Sequence, residues 1–165
     1  MTTLREAAEE FLAQPRLAVA GVSRDTRQPA NLIFRRLRDA GHEVYPINPN
    51  AEAVEGVESY PTVEAVPGPL DGVVVVTAPA DSDAVVSDCI RAGVPRVWLH
   101  RGIGPGSVSA HAIEACRAAG TRVIGGGCPN MFGATSDPGH RCMRAMLAAG
   151  GKIPRALPDG DYPLS

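Results

Sequence analysis

Along the chain, short continuous apolar runs alternate with stretches in which apolar residues return every third or fourth position. The runs are Leu17-Ala18-Val19-Ala20-Gly21-Val22, Val44 to Ile47, Gly72 to Thr77 with its four consecutive valines, Val94 to Leu99, and Thr121 to Ile124. Unbroken runs of this length fit strands covered on both faces, as in a parallel sheet. Helical patterns lie between them. Thr3 to Ala13 puts Leu4, Ala7, Ala8, Phe11 and Leu12 on one face and stops at Pro15. A second stretch opens near Pro29 and buries Ile33, Phe34 and Leu37, and a third opens around Asp81, a good cap, and buries Val85, Val86, Cys89 and Ile90. A fourth spans about Ser107 to Ala119. A last helix opens at Pro138-Gly139, with Cys142, Met143, Met146 and Leu147 set to dock on the sheet.

Ala40-Gly41, Ala92-Gly93 and Ala119-Gly120 each close a helix just before an apolar run begins. This is the rhythm of successive βα units with right-handed crossovers. Between Asn50 and Leu70 the pattern weakens to a short edge strand at Val57 to Tyr60 and one helical turn over Thr62 to Val66. The expected fold is α/β: a single domain with a doubly wound, five-stranded, Rossmann-like parallel sheet in the order 3-2-1-4-5. Residues 1–150 form it, with 1–14 as a helix packed on it. Residues 151–165, carrying Pro154, Pro158 and Pro163, read as an extended strap or a contact to a partner.

Composition narrows the function classes. The 165 residues suit one domain with a real core, and 44% hydrophobic with 21% charged residues is an ordinary globular balance. No run approaches the apolar length of a membrane span, and the first residues lack the pattern of a secretion signal, so a cytoplasmic protein is expected. A net charge of −2 gives no general attraction to nucleic acid or anionic lipid. Lys152 is the only lysine, which leaves neither a Schiff base nor a P-loop a candidate in the body of the domain. The Arg35, Arg36, Arg38 group reads as a solvated helix face, and Cys89 and Cys116 as small core residues.

In an open parallel sheet, ligands sit beyond the carboxyl ends of the strands, where the strand order reverses. Here those ends are Gly21-Val22-Ser23-Arg24, Asn48-Pro49-Asn50, Thr77-Ala78-Pro79, His100-Arg101-Gly102-Ile103 and Gly125 to Asn130. They offer rigid turns, close backbone approach and neutral hydrogen bonding. Apart from His100 and Asp25, no proton carrier stands there. The first end leads into a helix start, which favours a phosphate, and Arg24 and Arg27 add positive charge beside it. The turn reads Gly-x-Ser, not Gly-x-Gly-x-x-Gly, and the second end carries Asn48 and Asn50 where an NAD site places an acid.

Gly21-Val22-Ser23, Asn48-Pro49-Asn50, Tyr60-Pro61-Thr62, Trp98 to Ile103 and Gly127-Cys128-Pro129-Asn130 together resemble the stand-alone CoA-binding Rossmann proteins. That family is similar to the nucleotide domain of the succinyl-CoA synthetase alpha subunit. The resemblance covers roughly Leu17 to Asn130. It implies CoA or acyl-CoA as ligand, with Gly21 to Arg24 on the phosphates and Asn48 to Asn50 by the adenosine. His100 to Ile103 with Cys128 and Pro129 would line the pantetheine side. Many such proteins carry an arginine just after strand three, where this chain has Thr77-Ala78-Pro79. The synthetase's phosphohistidine lies in a second domain, so no residue here inherits that role.

The leading expectation is a CoA binder without catalysis of its own, acting as a cofactor sensor or serving a partner enzyme or a second copy of itself. Two alternatives stay open. One is an enzyme or subunit using NAD(P) or a CoA thioester, with Cys128 or His100 taking part. The other is a metal-dependent redox sensor built on Cys128, His140 and Cys142, although their spacing matches no established metal motif.

Overall fold

The computed structural model describes residues 1–164. Its elements are α1 (Leu4–Leu12), β1 (Arg16–Ala20), α2 (Pro29–Asp39), β2 (Glu43–Ile47), the hairpin strands β3 (Ala53–Val54) and β4 (Val57–Glu58), β5 (Gly72–Val75), α3 (Pro79–Arg91), β6 (Arg96–Leu99), α4 (Ala110–Ala119), β7 (Arg122–Gly125) and α5 (Pro138–Ala149). Five strands form one parallel sheet in the order β2-β1-β5-β6-β7.

The class, the strand count and the parallel pairing follow the sequence pattern, but the order of the five long strands is 2-1-3-4-5 instead of 3-2-1-4-5. Val73, Val74 and Val75 are each fully buried, so β5 needs a neighbour on both sides and finds them in β1 and β6. On the β2 edge, Val57–Glu58 pairs antiparallel with Ala53–Val54, and only Tyr60 bridges Ile47 in parallel. The expected edge strand is thus reduced to a single bridge.

Alternation along each strand splits the core into two layers. Leu17 and Val19 of β1 face α1, α2 and α5, packing with Phe11, Ile33, Phe34, Leu37 and Leu147. Ala18 and Ala20 face the other way, toward Val86 and Cys89 of α3 and Ala112 and Cys116 of α4. Trp98 is fully buried in the first layer, edge-on to Phe11 at 5.4 Å, with its indole N–H donated to the Gly126 carbonyl at 2.9 Å. A side chain at Gly72 would put its Cβ 2.8 Å from the Phe11 ring, so glycine there lets α1 lie flat on the sheet.

The C-terminal segment packs back on α1. Ala156 bridges Thr3, the Leu157 amide donates to the Thr2 carbonyl at 2.8 Å, and the Tyr162 hydroxyl donates to Glu10 at 2.5 Å. Burial opposes the charge of Glu10, but Arg96, the Tyr162 hydroxyl and Arg122 outweigh it and hold the carboxyl below its usual range.

Four local expectations need correction. α3 begins at Pro79 with Ala78 as its cap residue, which places Asp81 inside the first turn. α4 is capped by the Ser109 hydroxyl, because Ser107 is engaged elsewhere. On α5 only Leu147 is buried and Met143 packs partly against the core, while Cys142 and Met146 are exposed. The arginines of α2 are likewise not simply solvated, since Arg35 pairs with Glu55 and Arg36 with Asp137.

Gly21 has φ +105°, and a Cβ there would lie 2.1 Å from the Val76 carbonyl oxygen; Gly41 has φ +96° but open space around it. Gly41→Ala should therefore cost about 1–2 kcal/mol from conformation alone. Gly21→Ala should cost at least about 3 kcal/mol, because steric overlap with backbone is added. Urea midpoints of the two variants check this, and equal losses would contradict it.

Candidate functional site

Because β1 is flanked by β2 and β5, the chain leaves β1 toward one side of the sheet and β5 toward the other. A crevice opens between the loops that follow them, as it does at any such reversal of strand order. Here it is a cavity of about 640 Å³, walled by the start of α2, the ends of β5 and β6, the segment after β7 and the first turns of α5.

Beside the cavity, the first two strand-end loops are locked together. Asn31, fully buried on α2, accepts from the Ser23 amide at 2.9 Å and donates to the Ser23 carbonyl at 2.7 Å. The same side chain donates to Glu55 at 2.7 Å, and Arg35 donates to that Glu55 oxygen at 2.7 Å. Glu55 sits at φ +51°, a conformation a non-glycine residue adopts at a cost, so these bonds hold it there. Asn48 donates to the Val22 carbonyl at 2.8 Å and accepts from the Asn50 amide at 2.7 Å, while Arg24 donates to the Asn50 carbonyl. Gly21, Val22, Ser23, Arg24, Asn48, Pro49 and Asn50 thus form one hydrogen-bonded bracket. Within it the Gly21 amide is engaged by Ile47 and the Ser23 amide by Asn31, so neither is free for an anion. The Ser23 hydroxyl accepts from the Asp25 amide at 3.0 Å and keeps its proton to donate. Arg27, 88% exposed, grips Asp25 with two nitrogens.

Of the expected site residues, Arg27, Thr77, Ala78, His100, Gly102, Ile103 and Cys128 line the cavity. Pro79 is the exposed first residue of α3, and Pro129 is buried in a single 3-10 turn, Pro129–Met131; both shape the wall without lining it. Ser107 ties two loops together: its hydroxyl accepts from the Thr77 amide at 2.9 Å and donates to the Thr77 carbonyl at 2.7 Å, and its amide donates to the His100 carbonyl at 2.7 Å. Sequence reasoning missed Ser107, Asn130 and Met143 as wall residues and left His140 outside the binding set. Asn130 follows directly on Cys128-Pro129, which was the one available signal.

Two ionisable groups of the wall, His100 and Cys128, are held uncharged, while Arg27 remains a cation. Burial, aided by repulsion from His140, lowers the pKa of His100 to about 4 and keeps its ring neutral. Burial raises the Cys128 thiol to about 12, although its sulfur accepts from the Asn130 amide. No hydrogen bond joins Cys128 to His140, whose Nδ1 instead meets Asp137 at 2.5 Å. Asp137 caps α5 by accepting from the His140 amide at 2.9 Å, and that bond, together with Arg36, holds its carboxyl well below the usual range. The nucleophile pair is therefore not assembled. Nor is the metal site: among the described residues no three His, Cys, Asp or Glu side chains gather around one point. Cys128 is buried and Cys142 exposed, and two residues apart on a helix His140 and Cys142 point in different directions.

Residues 15–134 match the model of the CoA binding domain, and the chain belongs to that family. It is 25% identical over 119 residues to the uncharacterised protein YneT of Bacillus subtilis (strain 168), covering 72% of this chain and 85% of that one. It is 28% identical over 127 residues to the alpha subunit of the ADP-forming acetate–CoA ligase II of Pyrococcus furiosus, covering 72% of this chain but 28% of the subunit. Among solved structures, a hypothetical protein from Pyrococcus horikoshii OT3 superposes with a TM-score of 0.70 at 26% identity, covering 76% of this chain and 86% of the other. No helix among the described residues is long and apolar enough to cross a membrane.

The neutral His100 gives a signed pH dependence. The unfolded chain takes up a proton on this residue below about pH 6.5, the folded protein only below about pH 4. The stability it contributes is fully present above that window and is lost as the pH falls through it. Around the ring stand His140, with Asp137 and Arg36 behind it. His100→Gln should flatten the fall in urea midpoint between about pH 6.5 and pH 4. An unchanged slope would assign the effect to other groups.

Proposed function

We propose that this member of the CoA binding domain family holds CoA or an acyl-CoA without chemistry of its own, as a cofactor sensor or as the ligand-holding partner of an enzyme. The observation that carries the proposal is the cavity at the reversal of strand order, which lies almost wholly within the matched residues. In this reading the Ser23 hydroxyl, Arg24 and Arg27 meet the phosphates, with Gly21 and Val22 shaping the turn. Arg27 exchanges part of its pairing with Asp25 for the ligand. Asn48, Pro49 and Asn50 border the adenosine. Thr77, Ala78 and Pro79 form the middle of the path, and His100, Gly102, Ile103, Cys128 and Pro129 surround the pantetheine arm.

The uncharged His100 and Cys128 suit that arm, which carries no charge. The same neutrality supports holding over reacting: a thiol titrating near 12 supplies almost no thiolate at neutral pH, and an imidazole with a pKa near 4 is a weak base. A partner enzyme is supported by the acetate–CoA ligase subunit, where the matched segment is only part of a larger protein. The NAD(P) reading is weaker. The end of β2 carries Asn48, and the nearby carboxylate, Glu55, is only 8% exposed and already held by Arg35 and Asn31.

Ligand at a hundred times its dissociation constant should stabilise the protein by about 2.7 kcal/mol. That stabilisation, read by chemical denaturation, is expected with CoA and not with NAD or NADP. Ser23→Glu should abolish it through like-charge repulsion with phosphate while leaving the far-UV circular dichroism unchanged. Stabilisation by NAD(P) and none by CoA would overturn the proposal.

A further inference from the structure

Asn130 is 1% exposed and forms part of the cavity wall, yet its side-chain Oδ1 has no hydrogen-bond partner in the protein. Buried polar atoms are nearly always paired, and an unpaired one costs about 1–3 kcal/mol. The turn that carries Asn130 has little freedom to relieve this. Its amide is directed at the Cys128 sulfur, and the Met131 amide donates to the Cys128 carbonyl at 2.9 Å. The buried Thr135 hydroxyl lies 2.8 Å from the carbonyls of both Pro129 and Phe132. Phe132 in turn packs on Trp98. Met131 and Met143 line the wall beside Asn130 and have no proton to give.

We propose that Asn130 is a specificity-determining residue that reads a secondary amide of the ligand: its carboxamide, closed off from solvent in this structure, turns toward the cavity, Oδ1 accepts the ligand's N–H, and the side-chain nitrogen donates to the ligand's carbonyl. This rests on the CoA reading and deepens it, because the pantetheine arm of CoA is built through such amides. An asparagine side chain offers one acceptor and a donor side by side, which a secondary amide complements. A carboxylate would set like partial charges against Oδ1, and a purely apolar group would leave it unpaired. The arm, not the nucleotide, is then what the cavity wall selects, while the bracket around Ser23 handles the charged end.

The experiment measures binding of CoA, of 3′-phospho-ADP (the nucleotide half without the arm), and of a CoA analogue with an ester in place of the amide nearest the thiol. The protein is compared with its Asn130→Ala variant. CoA should bind the variant about ten- to a hundredfold more weakly, with 3′-phospho-ADP unchanged. The wild-type protein should bind the ester about tenfold or more weakly than CoA, and the variant should not distinguish the two. Unchanged CoA affinity in the variant, or equal loss of CoA and 3′-phospho-ADP, would overturn the assignment. Should the variant not fold, the ester comparison on the wild-type protein decides alone: equal affinity for ester and amide sinks the idea. A wild-type protein that binds none of the three removes the CoA reading itself, a different signature from the loss of amide discrimination.

Discussion

Burying the valines of β5 on both faces governs the placement of most other elements. Val73, Val74 and Val75 are fully covered only because β1 and β6 lie on either side and α1, α3 and α4 lie above and below. With β5 fixed beside β1, the loops after these two strands must part, and the cavity is the space they leave. The site is thus a consequence of core packing. Gly21 marks the tightest point of that arrangement, where the backbone of the first loop passes so near the Val76 carbonyl that no side chain fits.

The bracket around Ser23 shows how a loop is held rigid without regular secondary structure. Each polar group of Asn31 is matched by Ser23 or Glu55, and Asn48 repeats the device from the neighbouring strand end. Loops held this way lose little further entropy when a ligand arrives, so more of the contact energy remains as affinity. The cost appears at Glu55, whose positive φ is maintained by the bonds it makes. The bracket also restricts recognition, since the amides of Gly21 and Ser23 are already occupied by Ile47 and Asn31 and are not available to a ligand.

Much of the fold was legible because the signals were local. Runs of apolar residues, a proline at the first helical position of α2 and glycines closing α2 and α3 each act within a few residues. Strand order was less legible because it depends on competition between segments. Val57–Glu58 had the composition of an edge strand, but a two-residue turn let it fold back on Ala53–Val54 first. The strand-end loops were readable as a set, and seven of their residues do meet at the cavity. His140 and Met143 were not, because they reach the wall from a helix that follows the last strand, and nothing in the spacing of α5 shows which of its turns faces inward. The residues of the metal alternative do not gather for the same reason: although close in sequence after β7, Cys128 is buried and Cys142 exposed, and a helix projects His140 and Cys142 in different directions.

The contrast between the two parts of the site separates structure from recognition. In the bracket nearly every polar atom has a partner within the protein, so its chemistry is already committed to shape. In the wall, burial keeps the His100 ring and the Cys128 thiol uncharged, while Arg27 stays charged and exposed. One buried acceptor on that wall, Asn130 Oδ1, is left without a partner. Leaving it unpaired carries a cost that an apolar residue of similar size would remove. An unpaired acceptor on the same wall as the uncharged His100 and Cys128 fits a site shaped to bind and discriminate.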